Sequence, residues 1–144
     1  MVHWTQSNER QPRIAIIGAG MSGIAAVVKL RRGGYRNLTV YEKAEQVGGT
    51  WRANRYPGLS CDVPSHWYSF TFNPNPDWTH RFSYGPEIQA YMQATADKFD
   101  VMPLVQFNTG VRALAYDEKG EDGPVWHLTT EHGDEEIYDI VISA

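Results

Sequence analysis

The sequence contains a single cysteine, Cys61, among its 144 residues. That excludes an internal disulfide framework and a C-x-x-C redox pair, and a reduced, cytoplasmic setting is the simplest reading. Long apolar runs are missing too: no stretch approaches the length of a membrane span, so no membrane partner is expected. Residues 1–11 are polar and lack the apolar core of a signal peptide, so residues 1–12 read as a polar leader, with Trp4 left unassigned. Charge of one sign is not in excess. The net charge is −4 at pH 7 and the basic residues are scattered, so a nucleic-acid footprint is not expected. His66, His80, His127 and His132 form no metal-ligand spacing with a cysteine or an acid pair, so no metal is expected. There is no arguable Ser/His/Asp arrangement and no internal repeat.

What is present concentrates in residues 12–51. Ile14, Ala15, Ile16 and Ile17 form a short apolar run of the kind buried on both faces of a sheet. Gly18-Ala19-Gly20-Met21-Ser22-Gly23 follows at once and fits G-x-G-x-x-G. Ile24, Val27 and Val28 then recur at helical spacing between Met21 and Arg32, and Gly33-Gly34 ends the helix. Leu38 to Tyr41 is a second strand with Glu42 at its end. In this order Gly18 permits the tight turn, Gly20 leaves the backbone open to a pyrophosphate, and Gly23 lets the helix pack closely on the sheet. The free N–H groups and positive end of the helix face the phosphates, and the Ser22 hydroxyl lies in the same loop. Glu42, about 20 residues past the motif, is placed to accept hydrogen bonds from ribose hydroxyls. Its charge would repel a 2′-phosphate, which favours the adenosine ribose of FAD or NAD over that of NADP. Strand, helix and acid together favour dinucleotide binding over a turn kept for packing alone.

Gly48-Gly49 either lets backbone amides approach a ligand or belongs to an ordinary loop. Residues 54–78 are dense in Pro, Asn, Ser and aromatics, and a loop of that length usually has a function. Its rings (Tyr56, Trp67, Tyr68, Phe70, Phe72, Trp78) must be covered by a flat cofactor, by a neighbouring domain, or by one another. Gly85-Pro86-Glu87 starts a helix with Ile88, Tyr91, Met92, Thr95 and Phe99 on one face, Met92 being core. Residues 105–116, 125–131 and 137–143 read as strands. The acidic loop 117–123 joins the first two as a solvated hairpin tip, and His132-Gly133-Asp134 joins the next two. The expected fold is α/β, a Rossmann-like FAD/NAD(P)-binding domain over residues 13–144, with a parallel sheet and a small antiparallel β excursion.

GAGMSG at 18–23, YEK at 41–43, VGGTW at 47–51, NRYPG at 54–58, CDVPSHWYSF at 61–70 and DIVISA at 139–144 carry a resemblance. Together they resemble the N-terminal part of the class B flavoprotein monooxygenases, specifically the Baeyer–Villiger monooxygenases. GGTW, RYPG and CDVPS in combination are far more specific than the glycine motif. The resemblance implies FAD as the cofactor of this part, and NADPH bound by a second domain inserted after it. It implies that Gly18, Gly20 and Gly23 line the pyrophosphate, and that Glu42, with Lys43 beside it, holds the ribose. Gly49, Thr50 and Trp51 would follow the ribityl and flavin part, Asp62 and Tyr68 would flank the isoalloxazine, and the Val111 backbone would meet the adenine. Ser60, Cys61 and Asp62 would lie where the nicotinamide of NADP approaches the flavin. Asp62 is the catalytic candidate: an aspartate there positions a catalytic arginine and the nicotinamide in the Baeyer–Villiger branch, where the N- and S-oxygenating branch usually has asparagine. The bland reading of Asp62 is a turn residue capping local amides. Cys61 has no cation near it in sequence and otherwise reads as an inert small residue.

The family's activity would be NADPH-dependent insertion of oxygen from O2 into a ketone or related organic substrate through a flavin C4a-peroxide. The chain stops before the NADPH domain and the catalytic arginine, so it is expected to be a truncated, incomplete FAD-binding domain that is inactive alone. The alternatives are an N/S-oxygenating enzyme, or a non-catalytic FAD-binding fragment or interaction module that associates with a missing C-terminal half or with itself. A flavin disulfide reductase is disfavoured by the absent C-x-x-C.

Overall fold

Strand β1 (Ile14–Ile17) is apolar along its whole length because both of its faces are covered. Ile14 and Ile16 pack with Ile24, Val27 and Val28 of helix α1 (Met21–Arg32) and with Ile88 and Met92 of helix α3 (Gly85–Lys98). Ala15, between them, turns to the opposite face and packs with Tyr41, Leu128 and Tyr138. The computed structural model describes residues 10–120 and 123–144. Most of the expected polar leader, including Trp4, and two positions of the acidic loop lie outside them.

Strand β2 (Leu38–Tyr41) runs parallel to β1 in the register Ile14↔Leu38 to Ile17↔Tyr41. The two-residue β3 (Val105–Gln106) pairs with β2 on the outside, and β7 (Ile140–Ser143) pairs with β1 on its other side, also parallel. The sheet order is therefore β3-β2-β1-β7. A second, antiparallel sheet of β4 (Val111–Asp117), β5 (Val125–Thr130) and β6 (Glu135–Tyr138) covers the face opposite the helices. Chain leaving β1 crosses on the helical face and chain entering β7 arrives from the antiparallel sheet. The strand ends Ile17, Tyr41 and Ser143 consequently open onto a crevice at a topological switch point, where ligands bind in open α/β sheets.

Two of the expected strands are each two strands in different sheets. Residues 105–116 break after β3, where Asn108 takes a positive φ of 55°. The Asn108 and Thr109 amides donate to the Ala44 and Glu42 carbonyls, which turns the chain out of the parallel sheet before β4 begins. Residues 137–143 break at Asp139. Its amide and that of Ile140 both donate to the Arg13 carbonyl, while its carboxylate accepts from the Arg13 amide at 2.6 Å and pairs with Arg10. This pivot hands the chain from β6 to β7. Gly48-Gly49, which in sequence suits either a close approach of backbone amides to a ligand or an ordinary loop, leads into helix α2 (Thr50–Ala53), with Gly49 as its N-cap.

The loop after α2 folds largely on α3. Phe70 and Trp78 pack on Tyr91, and Phe72 stacks on Phe70 and meets Phe99 edge-on. The Tyr91 hydroxyl accepts from the Phe70 amide and donates to the Asn73 carbonyl, so one helix residue fixes both arms of the turn. Tyr56 and Trp67 remain exposed, at 61% and 82%.

Candidate cofactor-binding site

Gly18 ends β1 with φ 101°, a conformation that glycine adopts without a Cβ penalty. A Cβ on Gly23 would stand 1.9 Å from the Gly18 carbonyl oxygen, so α1 can approach the turn this closely only with glycine there. A Cβ on Gly49, the residue that begins α2, would meet the Gly20 Cα at 3.0 Å. The two glycine loops thus touch backbone to backbone. The N-terminus of α1 is capped by no side chain and has no acidic residue in its first turn. Its free N–H groups and positive dipole end are left for an anion.

Glu42 is only 7% exposed, and a carboxylate buried without partners would be costly. It accepts from the Ala19 amide and the Ala44 amide, each at 2.8 Å. Glu42 therefore holds the glycine turn itself, a task its position in sequence did not reveal. An ionised carboxylate offers about four acceptor positions, so two remain for the hydroxyls of a ribose.

These groups surround a cleft of about 660 Å³. Of the residues singled out from sequence, Gly18, Gly20, Ser22, Glu42, Lys43, Gly49, Thr50 and Val111 line it. Gly23 is buried behind the turn. Trp51 lines a neighbouring cleft of about 370 Å³ with Arg55, Tyr56 and Tyr84, and its indole N–H donates to the Tyr68 hydroxyl at 3.0 Å. Ser60 and Asp62 are exposed, Cys61 is buried, and none of the three lines either cleft. The cleft also takes in residues that the sequence reading passed over: Tyr41, Arg52, Thr109, Gly110, Glu131 and Ala144. They arrive from five separate stretches of the chain, and no local pattern marks them. Arg52 pairs with Glu45, whose carboxyl this hydrogen bond holds down at about 2. Among the described residues no His/Cys/Asp/Glu group could hold a metal ion, and no helix is long and apolar enough to cross a membrane.

The glycine turn, its uncapped helix and the acid after β2 match a known pattern: residues 16–93 fit the model of the NAD(P)-binding Rossmann-like domain. The chain belongs to that family. A Baeyer–Villiger monooxygenase of Streptomyces coelicolor is 45% identical over 132 residues, 92% of this chain and 25% of that protein. The fold superposes on an oxidized steroid monooxygenase bound to NADP with a TM-score of 0.85 and 35% identity, covering 92% of this chain and 26% of that one. It superposes on OTEMO in complex with FAD and NADP with a TM-score of 0.84 and 31% identity, covering 95% of this chain and 26% of that one. The resemblance read from the motifs is thus borne out in sequence and in fold. The chain spans about a quarter of the length of the curated relatives it matches.

Proposed function

We propose that this chain is the FAD-binding part of an NADPH-dependent monooxygenase of the Baeyer–Villiger type. The observation that carries the reading is the uncapped N-terminus of α1 beside a buried, half-satisfied Glu42, at the switch point of the sheet. That donor set fits a dinucleotide: amides and a dipole end for the pyrophosphate, a carboxylate for the ribose. Gly18, Gly20 and Ser22 would cradle the phosphates and Glu42, with Lys43, would hold the ribose. Val111 would border the adenine, and Gly49, Thr50 and Trp51 would lead toward the flavin. When bound, the flavin supplies the redox chemistry by which oxygen enters a ketone or related organic substrate.

Ser60, Cys61 and Asp62 lie on the loop beyond α2, which suits them to the nicotinamide side, and Tyr68, bonded to Trp51, would flank the isoalloxazine with Asp62. There Asp62, exposed and free to reach outward, would position a cationic residue supplied by another part of the longer polypeptide. A lone buried thiol at Cys61 suits a reducing compartment, and the cytoplasm is the setting we assign.

The test is to titrate the purified chain with FAD and follow flavin fluorescence and the visible band. Saturable binding that is lost on Glu42→Lys supports the reading. A chain that is folded by circular dichroism and binds no flavin overturns it. For the oxygenation, Asp62→Asn in the full-length polypeptide should keep the flavin and lose ester formation; undiminished ester formation removes that role from Asp62.

A further inference from the structure

Glu131 stands at the far end of the cleft with nothing in the proposed chemistry yet assigned to it. It follows β5, and its backbone is fixed there: the Glu131 amide donates to the Gly110 carbonyl at 2.8 Å. Its side chain folds back over Gly110. A Cβ on Gly110 would lie 2.4 to 2.7 Å from all three atoms of the Glu131 carboxyl group. Gly110 has no positive φ, and the space over its Cα is where the carboxylate lies. The residue lines the cleft, is exposed, and enters no ion pair among the described residues. A carboxylate thus lies at the cleft wall, on a backbone fixed to Gly110, with no hydrogen-bond partner of its own among the described residues.

What occupies that space follows from the order of the cleft. Phosphates belong at the N-terminus of α1 and the ribose at Glu42. Past Glu42 the wall continues through Thr109, whose amide donates to the Glu42 carbonyl, and then Gly110, Val111 and Glu131. The base attached to that ribose must lie here. We infer that Glu131 reads the base: its carboxylate accepts a hydrogen bond from the exocyclic amine of adenine, and so selects adenine over a purine that bears a carbonyl at the same position. A 6-oxo purine would turn an acceptor toward the carboxylate, forfeiting that hydrogen bond and setting a carbonyl dipole against the charge. The inference rests on the dinucleotide reading of the cleft and adds the specificity of its adenosine end.

The experiment is competition by AMP and by IMP against FAD bound to the purified chain, read by flavin fluorescence, for the unaltered chain, Glu131→Ala and Glu131→Gln. The unaltered chain should prefer AMP by about tenfold, the size expected of one hydrogen bond to a charged group. Glu131→Ala should erase the preference by weakening AMP. Glu131→Gln, which keeps a carbonyl acceptor, should retain part of it. Glu131 is exposed, and unchanged circular dichroism will show that the fold survives each substitution. A preference that persists in Glu131→Ala, or equal affinities in the unaltered chain that nonetheless binds FAD, overturns the inference alone. A folded chain that binds no FAD overturns the dinucleotide reading, and the inference with it.

Discussion

The glycine turn and the aromatic loop sit on either side of α2 and are built on opposite principles. Around β1, α1 and β2 the close contacts are made by backbone, Gly23 against the Gly18 carbonyl and Gly49 against Gly20, with one side chain, the Glu42 carboxylate, accepting from the Ala19 amide. The loop of residues 54–84 has backbone bonds of its own, such as Cys61 to Ser83 and Ser65 to Arg81, but its rings and arms are set by side chains of α3, with Tyr91 at the centre and Glu87 accepting from both the amide and the hydroxyl of Thr79. Backbone contacts tolerate almost no added atom, whereas ring packing tolerates exchange at some cost. A site whose first need is a fixed nest of N–H groups gains from the former, and a loop that must reach toward other parts of a larger protein gains from the latter.

Gly23→Ala breaks the comparison most severely. The added Cβ would fall 1.9 Å from a backbone oxygen, which cannot swing away as a side chain can. A loss of about 4 kcal/mol or more is expected, in the range reserved for steric conflicts of the core, and FAD binding should go with it. A melting temperature within two or three degrees of the unaltered chain, about what ~0.5 kcal/mol produces in a domain of this size, would sink the claim.

Tyr91→Phe tests the other side. It keeps the ring stack with Phe70 and removes the hydroxyl that serves the Phe70 amide and the Asn73 carbonyl. The buried amide is left without an acceptor, at a cost of about 1–3 kcal/mol. Because the lost hydroxyl touches no residue of the glycine nest and lines neither cleft, FAD affinity should change less than twofold. A parallel loss of affinity would show that the two regions are one cooperative unit after all.

A third substitution sharpens the boundary between the sheets. The Tyr41 and Tyr138 hydroxyls meet at 2.7 Å in the layer between them, with the rings edge to face. Tyr138→Phe alone leaves a buried hydroxyl unpaired and should cost about 1–2 kcal/mol, while Tyr41→Phe with Tyr138→Phe should cost less than the sum of the single changes. Burial first, and the Tyr138 hydroxyl second, push the Tyr41 phenol above its usual range. The neutral pair's contribution is therefore whole below pH 10 and is lost as pH rises beyond it. Chemical denaturation between pH 8 and about 11.5, with tyrosines ionising near 10 when unfolded, should show that fall in the unaltered chain and a shallower one in the double variant. Additive costs and identical pH profiles would remove the coupling.

The same contrast explains how much could be read in advance. The bounds of β1, α1 and β2 were legible to the residue, because strand, glycines, helix and acid are all local, although the bond from the Ala19 amide to Glu42 was not. The helix from Gly85 was legible from its proline and apolar period. The breaks at residues 107–110 and at Asp139 were not, since both depend on partners distant in sequence: Glu42 and Ala44 for one, Arg13 for the other. Helix α2, at four residues, is too short to show a period. Of the cleft, the glycine turn and Glu42 were visible as a motif, whereas Tyr41, Thr109 and Glu131 come together only when three elements converge. Resemblance supplied Val111, which neither spacing nor composition could single out.

The smallest effect concerns the ion pair of Glu45 and Arg52, where the two regions meet on α2. Arg52 lines the cleft and its Nε is buried without a partner, so Glu45 is its one holding contact among the described ion pairs. The hydrogen bond from Arg52 lowers the Glu45 carboxyl from 4.5 to about 2. A depressed carboxylate contributes in full above its unfolded value and loses that contribution as pH falls through its folded one, so the pair's contribution should be whole down to about pH 4.5, decline below it, and be lost as the pH falls through about 2. Both groups reach solvent, which keeps the stability effect small, and screening by salt should shrink it further. Direct titration of the Glu45 carboxyl by NMR is the suitable measurement, with Arg52→Gln as the comparison. Recovery toward the ordinary carboxylate value in Arg52→Gln is expected, together with little change in melting temperature at pH 7. A carboxyl that titrates normally in the unaltered chain would mean that Arg52 is free to swing into the cleft, and that the phosphate end has a mobile cation in place of a fixed one.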